Sequence, residues 1–216
     1  MNVLPSIFND VIGPVMRGPS SSHTAASWRV AKMAVQLLNA PLAHALVEFD
    51  KDGAWVTNYR EQGTVLGMNG GLLDIDMADD AMKRTYEIAL QRGIVINYQI
   101  SSFENSHANS MQLTLTDVKG DVLKILAASL GGGSFELQKV DGFEVQMKGD
   151  YHELFIWAKE DIANELRQLL PEGAHLLARE NRDTYLYIFE SYSAFETGLI
   201  KHIEGFAEVT KVARAV

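Results

Sequence analysis

The sequence predicts an α+β protein of two units, residues 1–149 and 150–216, and three observations carry that prediction. From about Tyr151 onward, strand-like and helix-like runs alternate compactly in the order β-α-β-β-α-β, the ferredoxin-like arrangement. Upstream of Gly149, short strand-like runs broken by turn residues outnumber helical stretches, which implies a mixed sheet. The 216 residues are 47% hydrophobic and 22% charged, enough apolar material to build cores without disulfides, and the chain has no cysteine to make any.

The elements follow in order. From Thr24 to Asn39, Val30, Ala31, Ala34, Leu37 and Leu38 recur at helical spacing, and Pro41 stops the helix. AHALVEF (43–49) and AWVTNY (54–59), separated by KDG, read as a hairpin, and a glycine-punctuated stretch, GTVLGMNGGLLD (63–74), comes next. DDAMKRTYEIALQRG (79–93) has acidic residues at its start, a glycine at its end and Met82, Tyr86, Ala89 and Leu90 on one expected apolar face, the marks of a capped helix. IVINYQI, SMQLTLTD, DVLKILAASL and FEVQMK read as strands, broken by SFENSHAN, by Lys119-Gly120 and by the glycines 131–133. In the second unit ELFIWA, HLLARE, TYLYIFES and AEVTKVARA are the strands. Its helices are KEDIANELRQLLP, with Ile162, Leu166, Leu169 and Leu170 on one face, and SAFETGLIKHIEG, with Phe195, Leu199 and Ile203.

Bulk properties exclude several function classes. A net charge of −9 and the lack of any Lys/Arg-rich run argue against a nucleic-acid partner. No apolar run approaches the roughly 20 residues that span a bilayer, and MNVLPSIFND lacks the features of a signal peptide, so no membrane partner and a cytoplasmic location are expected. Without cysteine, this chain alone builds no thiolate-ligated zinc or iron–sulfur site. The patterns G-x-x-x-x-G-K-[ST] and G-x-G-x-x-G are absent, leaving nucleotide binding unsupported. His44 and His202 stand in apolar settings with no partner at ligand spacing, so packing is the default for both.

MRGPSSSHTAASWR (16–29) is where chemistry concentrates. Pro19 and three serines disfavour helix, so a shaped loop should run into a helix beginning near His23. At such a helix start, free backbone N–H groups and the helix dipole favour a carboxylate or phosphate, and serine hydroxyls add donors. One serine suffices to cap a helix. Three, followed by His23 and Thr24 and preceded by Arg17, exceed what a cap requires and suggest a site for a small anion. Whether a serine acts as nucleophile or as binding group stays open, because a Ser–His arrangement is spatial and no G-x-S-x-G elbow is present.

The run IGPVMRGPSSSHTAA (12–26) closely resembles the signature of the beta chain of iron–sulfur-dependent L-serine dehydratase, in which I-G-P-x-x-x-G-P-S-S-S-H-T recurs. The resemblance extends through Gly70-Gly71-Leu72-Leu73-Asp74, His107-Ala108-Asn109 and Ser129-Leu130-Gly131-Gly132-Gly133, covering roughly residues 7 to 150. It implies a first unit with the fold of the allosteric substrate-binding domain of D-3-phosphoglycerate dehydrogenases, and a second unit in the place of an ACT domain. It also implies a cysteine-bearing alpha chain as partner, which holds a 4Fe-4S cluster; its open iron would act on the substrate hydroxyl while a base takes the Cα proton, so that L-serine yields pyruvate and ammonia. By the same resemblance this chain holds no metal; Ser21, His23 and Thr24 are the expected catalytic residues, with His23 orienting or shuttling a proton. Ser20, Ser21, Ser22, Thr64, His107 and Asn109 are the expected substrate-binding residues, for a small hydroxy-amino acid.

The sequence also departs from the family pattern. Where the family reads G-H-G-T-D, this chain has Glu61-Gln62-Gly63-Thr64-Val65: Gln62 carries no proton at neutral pH and Val65 offers no polar group. Trp28 stands where small residues are usual. The D-x-x-G turn of amino-acid-binding ACT domains is replaced by Ala158-Lys159-Glu160-Asp161-Ile162, which favours a structural or dimerising role for that turn. Edge strands of the second unit are candidates for pairing between copies, and a homo-oligomer is expected. Three alternatives remain at this level: a non-catalytic small-anion or amino-acid sensor, a paralogue acting on another hydroxy-acid, and an oligomerisation scaffold.

Overall fold

The computed structural model describes residues 16–104 and 107–215. The elements run α1 (Ser21–Leu38), β1 (Leu42–Asp50), α2 (Thr64–Leu72), a 3₁₀ turn (Asp80–Arg84), α3 (Thr85–Gln91), β2 (Val95–Ser101), β3 (Ser110–Asp117), β4 (Val122–Gly131), β5 (Ser134–Val140) and β6 (Phe143–Met147). After them come β7 (His152–Ala158), α4 (Ala163–Leu169), β8 (His175–Asn181), β9 (Thr184–Ser191), α5 (Thr197–Glu204) and β10 (Val209–Ala215). The fold is α+β, with a six-stranded mixed sheet in the order β2-β1-β3-β4-β5-β6 and a four-stranded antiparallel sheet in the order β10-β7-β9-β8.

The second sheet has the ferredoxin-like order read from the sequence. Its two faces differ, as strand alternation requires. Leu154, Ile156, Tyr187 and Phe189 pack with Ile162, Leu166 and Ile203 of the helical layer. Phe155, Trp157, Leu186 and Ile188 on the other face join the core formed by α1 and the first sheet. The junction has polar ties as well: Asn39 Nδ2 donates to the Val212 carbonyl at 2.9 Å, and Arg179 Nε to the Glu144 carbonyl at 2.8 Å.

Several expectations need correction. The hairpin of 43–49 with 54–59 does not form: β1 is flanked instead by β2, in parallel, and by β3, antiparallel. Residues 55–63 wind in helical turns, with Tyr59 N–H donating to the Trp55 carbonyl at 2.9 Å and Gln62 N–H to that of Asn58 at 2.9 Å. Winding puts Trp55 and Tyr59 on one side, where both rings meet Phe49, at 5.6 and 4.9 Å between centroids. The glycine-punctuated stretch is a helix, α2, and β5 is an additional strand. In the 79–93 segment Met82 and Ala89 are buried as expected, but Tyr86 and Leu90 are 78% and 73% exposed.

The glycines of α2 explain its place. A Cβ on Gly67 would collide with the Thr24 carbonyl oxygen and one on Gly71 with that of Trp28, so α2 lies against α1 at a separation no side chain permits. Both helices therefore begin at the same end of the seam.

Candidate functional site

The site forms at the start of α1. Residues 12–15 of the signature run lie outside the described residues; from Met16 on, the loop is placed by Arg17, whose guanidinium donates to the Met77 carbonyl at 2.8 Å. Ser20 occupies the N-cap position, yet its side chain caps nothing. Its hydroxyl lies 3.0 Å from His23 Nδ1, and His23 Nε2 lies 3.2 Å from Asn58 Oδ1. An amide oxygen only accepts, so Nε2 carries the proton and Nδ1 accepts from Ser20. Burial holds the His23 pKa below its usual 6.5 against the opposing pull of the Asn58 bond, leaving the ring neutral at pH 7.

The three serines are thereby sorted. Ser20 faces His23. Ser22 is engaged on both sides, its hydroxyl 3.3 Å from the Gly132 N–H and its carbonyl accepting from Ser129 Oγ at 2.9 Å. Ser21 Oγ has no partner among the described residues, nor do the N–H groups of Ser21 and Ser22, whereas those of His23 and Thr24 donate to the Ser20 carbonyl at 3.1 and 2.7 Å. No acidic residue stands in the first turn. An 18-residue helix thus presents two free N–H donors, a free hydroxyl and an uncompensated dipole at one half-buried spot.

The remaining expected residues surround or support that spot. Thr24 is fully buried and its hydroxyl donates to the Gln62 carbonyl at 3.3 Å, so it fixes the turn behind His23. Thr64 is also fully buried in the α1–α2 seam, its carbonyl accepting from Ser27 Oγ at 3.0 Å and its hydroxyl without a partner among the described residues. His107 Nδ1 accepts from the Asn109 N–H at 3.0 Å, closing their loop on itself. That loop is joined to the site through its backbone: the Ala108 carbonyl accepts from Ala54 N–H at 2.8 Å, beside Trp55, and the Asn109 carbonyl from Ser129 N–H at 3.0 Å. Trp55 completes the wall, its ring centroid 5.6 Å from that of His23.

All the segments carrying the family likeness from Met16 onward therefore converge. Gly71 sets the helix seam and Gly70 packs against Met82, the 107–109 loop backs Trp55, and Ser129 and the glycine turn hold Ser22. Reading the sequence missed Asn58, Trp55 and the Ser129 hydroxyl. The spacing of Trp55, Asn58 and Tyr59, helical rather than alternating, is the signal that could have found the first two.

Among the described residues no three His, Asp or Glu side chains gather as metal ligands. No helix among them is long and apolar enough to cross a membrane. Fold and site together define an α+β protein with unpaired donors at a helix start, backed by a neutral histidine. No family model matches the chain. It is 36% identical over 151 residues to the probable L-serine dehydratase beta chain of Bacillus subtilis (strain 168), covering 70% of this chain and 67% of that one. It is 28% identical over 148 residues to the L-serine dehydratase beta chain of Peptoniphilus asaccharolyticus, covering 68% and 66% respectively. The chain belongs to the family of L-serine dehydratase beta chains.

Proposed function

We propose that this chain is the substrate-holding subunit of an L-serine dehydratase and works with an alpha chain to convert L-serine to pyruvate and ammonia. The observation that carries this reading is the behaviour of Ser20, which leaves its own helix uncapped and turns to a neutral histidine. The free N–H groups of Ser21 and Ser22 and the Ser21 hydroxyl bind the substrate carboxylate. Ser20, His23 and Asn58 form a proton-accepting chain: a proton passed to Ser20 moves on to Nδ1, and Asn58 holds the ring in the tautomer that can take it. Elimination removes the Cα proton and the β-hydroxyl as water, and the resulting enamine tautomerises and hydrolyses to pyruvate and ammonia.

An iron–sulfur cluster does not fit the residues of this chain. It requires thiolate ligands, and the sequence has no cysteine. A cluster serving this site is held by the alpha chain, and the roles assigned to Ser20, Ser21 and His23 are independent of its geometry.

The test is co-expression with the cysteine-bearing alpha chain from the same genome and assay of pyruvate from L-serine, with L-threonine as the competing hydroxy-amino acid. Ser21→Ala should raise KM for L-serine by about tenfold, the worth of a hydrogen bond to a charged group, with kcat little changed. Conversion of L-threonine but not L-serine would assign the chain to a paralogue with a shifted substrate. No turnover of either, with hydroxy-acid binding by the chain alone, would make it a sensor.

A further inference from the structure

An exposed apolar patch lies away from the serines, on α3 and β2. Three large hydrophobic side chains are exposed there together: Tyr86 and Leu90 on α3, and Val95 at the start of β2. Between the two elements runs a groove of about 480 Å³, lined among others by Tyr86, Leu90, Val95 and Tyr98. β2 is an edge strand, with β1 on one side and no strand on the other among the described residues. An unpaired strand edge beside exposed aromatic and aliphatic groups is a surface that other proteins recognise.

Position selects the occupant. At one end the groove is walled by Arg60 and Val65, the residues that bracket the turn of Gln62, Gly63 and Thr64. Asn58, two residues before Arg60, is the partner of His23. Tyr98 ties groove and turn together, its hydroxyl donating to Asn69 Oδ1 at 2.5 Å within α2. A chain seated in the groove therefore reaches the wall of the serine site without crossing the fold. The Arg60 guanidinium stacks 5.2 Å from the Tyr59 ring centroid and makes no ion pair among the described residues, so it offers a partner carboxylate a site at the groove's inner end.

We infer that the α3–β2 groove is the docking surface for the alpha chain, which seats an apolar segment against Tyr86, Leu90 and Val95 and an acidic side chain on Arg60. This rests on the reading that the serine site is half of a two-chain enzyme. Aromatic and arginine anchors carry most of an interface's energy, which singles out Tyr86 and Arg60 as the residues whose loss should matter most.

The experiment is recovery of the full-length chain on a tagged alpha chain after co-expression. Tyr86→Ser and Leu90→Glu should each reduce recovery by about tenfold or more, with thermal melting of the isolated variants unchanged. Val118→Glu, at an exposed apolar position outside the groove, should be recovered like the wild type. Recovery of both groove variants within about twofold of wild type would overturn the inference, as would failure of the wild type to be recovered. So would loss of self-association with recovery intact, which would give the groove to a second copy of this chain. Recovery requires no turnover, so a complex that forms through the groove but releases no pyruvate upholds the docking surface and refutes the proposed activity.

Discussion

At the scale of single residues, the division of labour among Ser20, Ser21 and Ser22 turns a polar run into a site. Among the described residues three adjacent hydroxyls are placed differently: Ser20 beside a histidine, Ser21 with no partner and Ser22 against a glycine turn. The sequence shows that polarity exceeds the needs of a cap, but not which serine is free, because Gly132 and Ser129 approach from more than 100 residues away. The neutral ring of His23 is testable by itself. Burial lowers its pKa, so it stays uncharged to a lower pH than a free histidine, and an NMR titration should give a midpoint below 6.5. Activity that depends on neutral His23 should then persist below that pH before its acid limb falls. A midpoint at or above 6.5 would contradict the burial that the structure shows.

Among the elements, the seam of α1 and α2 holds the site in shape, and its glycines make that measurable. Gly67→Ala places a methyl group against the Thr24 carbonyl and should cost about 1–3 kcal/mol, as overpacking does. Gly198→Ala, on α5 with open space around it, should be neutral or stabilising by up to about 1 kcal/mol. Chemical denaturation of the two variants makes the comparison, and equal effects would mean that the seam is not close-packed.

The elements also show what is legible in a sequence. The second unit was, because its strands are short apolar runs and its helices keep the helical period. Residues 54–59 were not: AWVTNY alternates well enough for a strand, and the outcome was decided by β2 and β3 occupying both sides of β1. β5 escaped because bulges shift its register, at Leu137/Lys139 against β6 and at Leu126/Ala127 against β4, so that Val140 rather than Lys139 turns inward and the alternation breaks. At the site, the motif announced His23 and the serines, while Asn58 lay hidden in the misread strand.

For the whole molecule, the packing of the two sheets on one core includes an ionisable group at a costly position. Glu153 is 1% exposed at the start of β7, directly opposite Glu190 of β9, and its Oε2 has no hydrogen-bond partner among the described residues. Burial foremost, then the charges of Glu190 and Asp150, push its pKa from 4.5 up to about 8. Between those values the folded chain holds a proton that the unfolded chain releases, so stability should fall as pH rises, by about 1.4 kcal/mol per unit from this group. Glu153→Gln, which keeps the shape and cannot ionise, should flatten that slope and gain most over wild type near pH 8. Parallel slopes for the two proteins across pH 5 to 8 would show that Glu153 is ionised in the fold.

These scales meet in the claim that the start of α1 supplies the substrate-holding, proton-accepting half of a serine dehydratase. The most direct measurement is kcat for L-serine of the complex with the alpha chain, wild type against His23→Gln, with complex formation verified for both. Gln can still hydrogen-bond to its neighbours but cannot accept a proton at neutral pH, so the account predicts a loss in kcat of about a hundredfold or more. A His23→Gln complex that turns over within about threefold of wild type would contradict it.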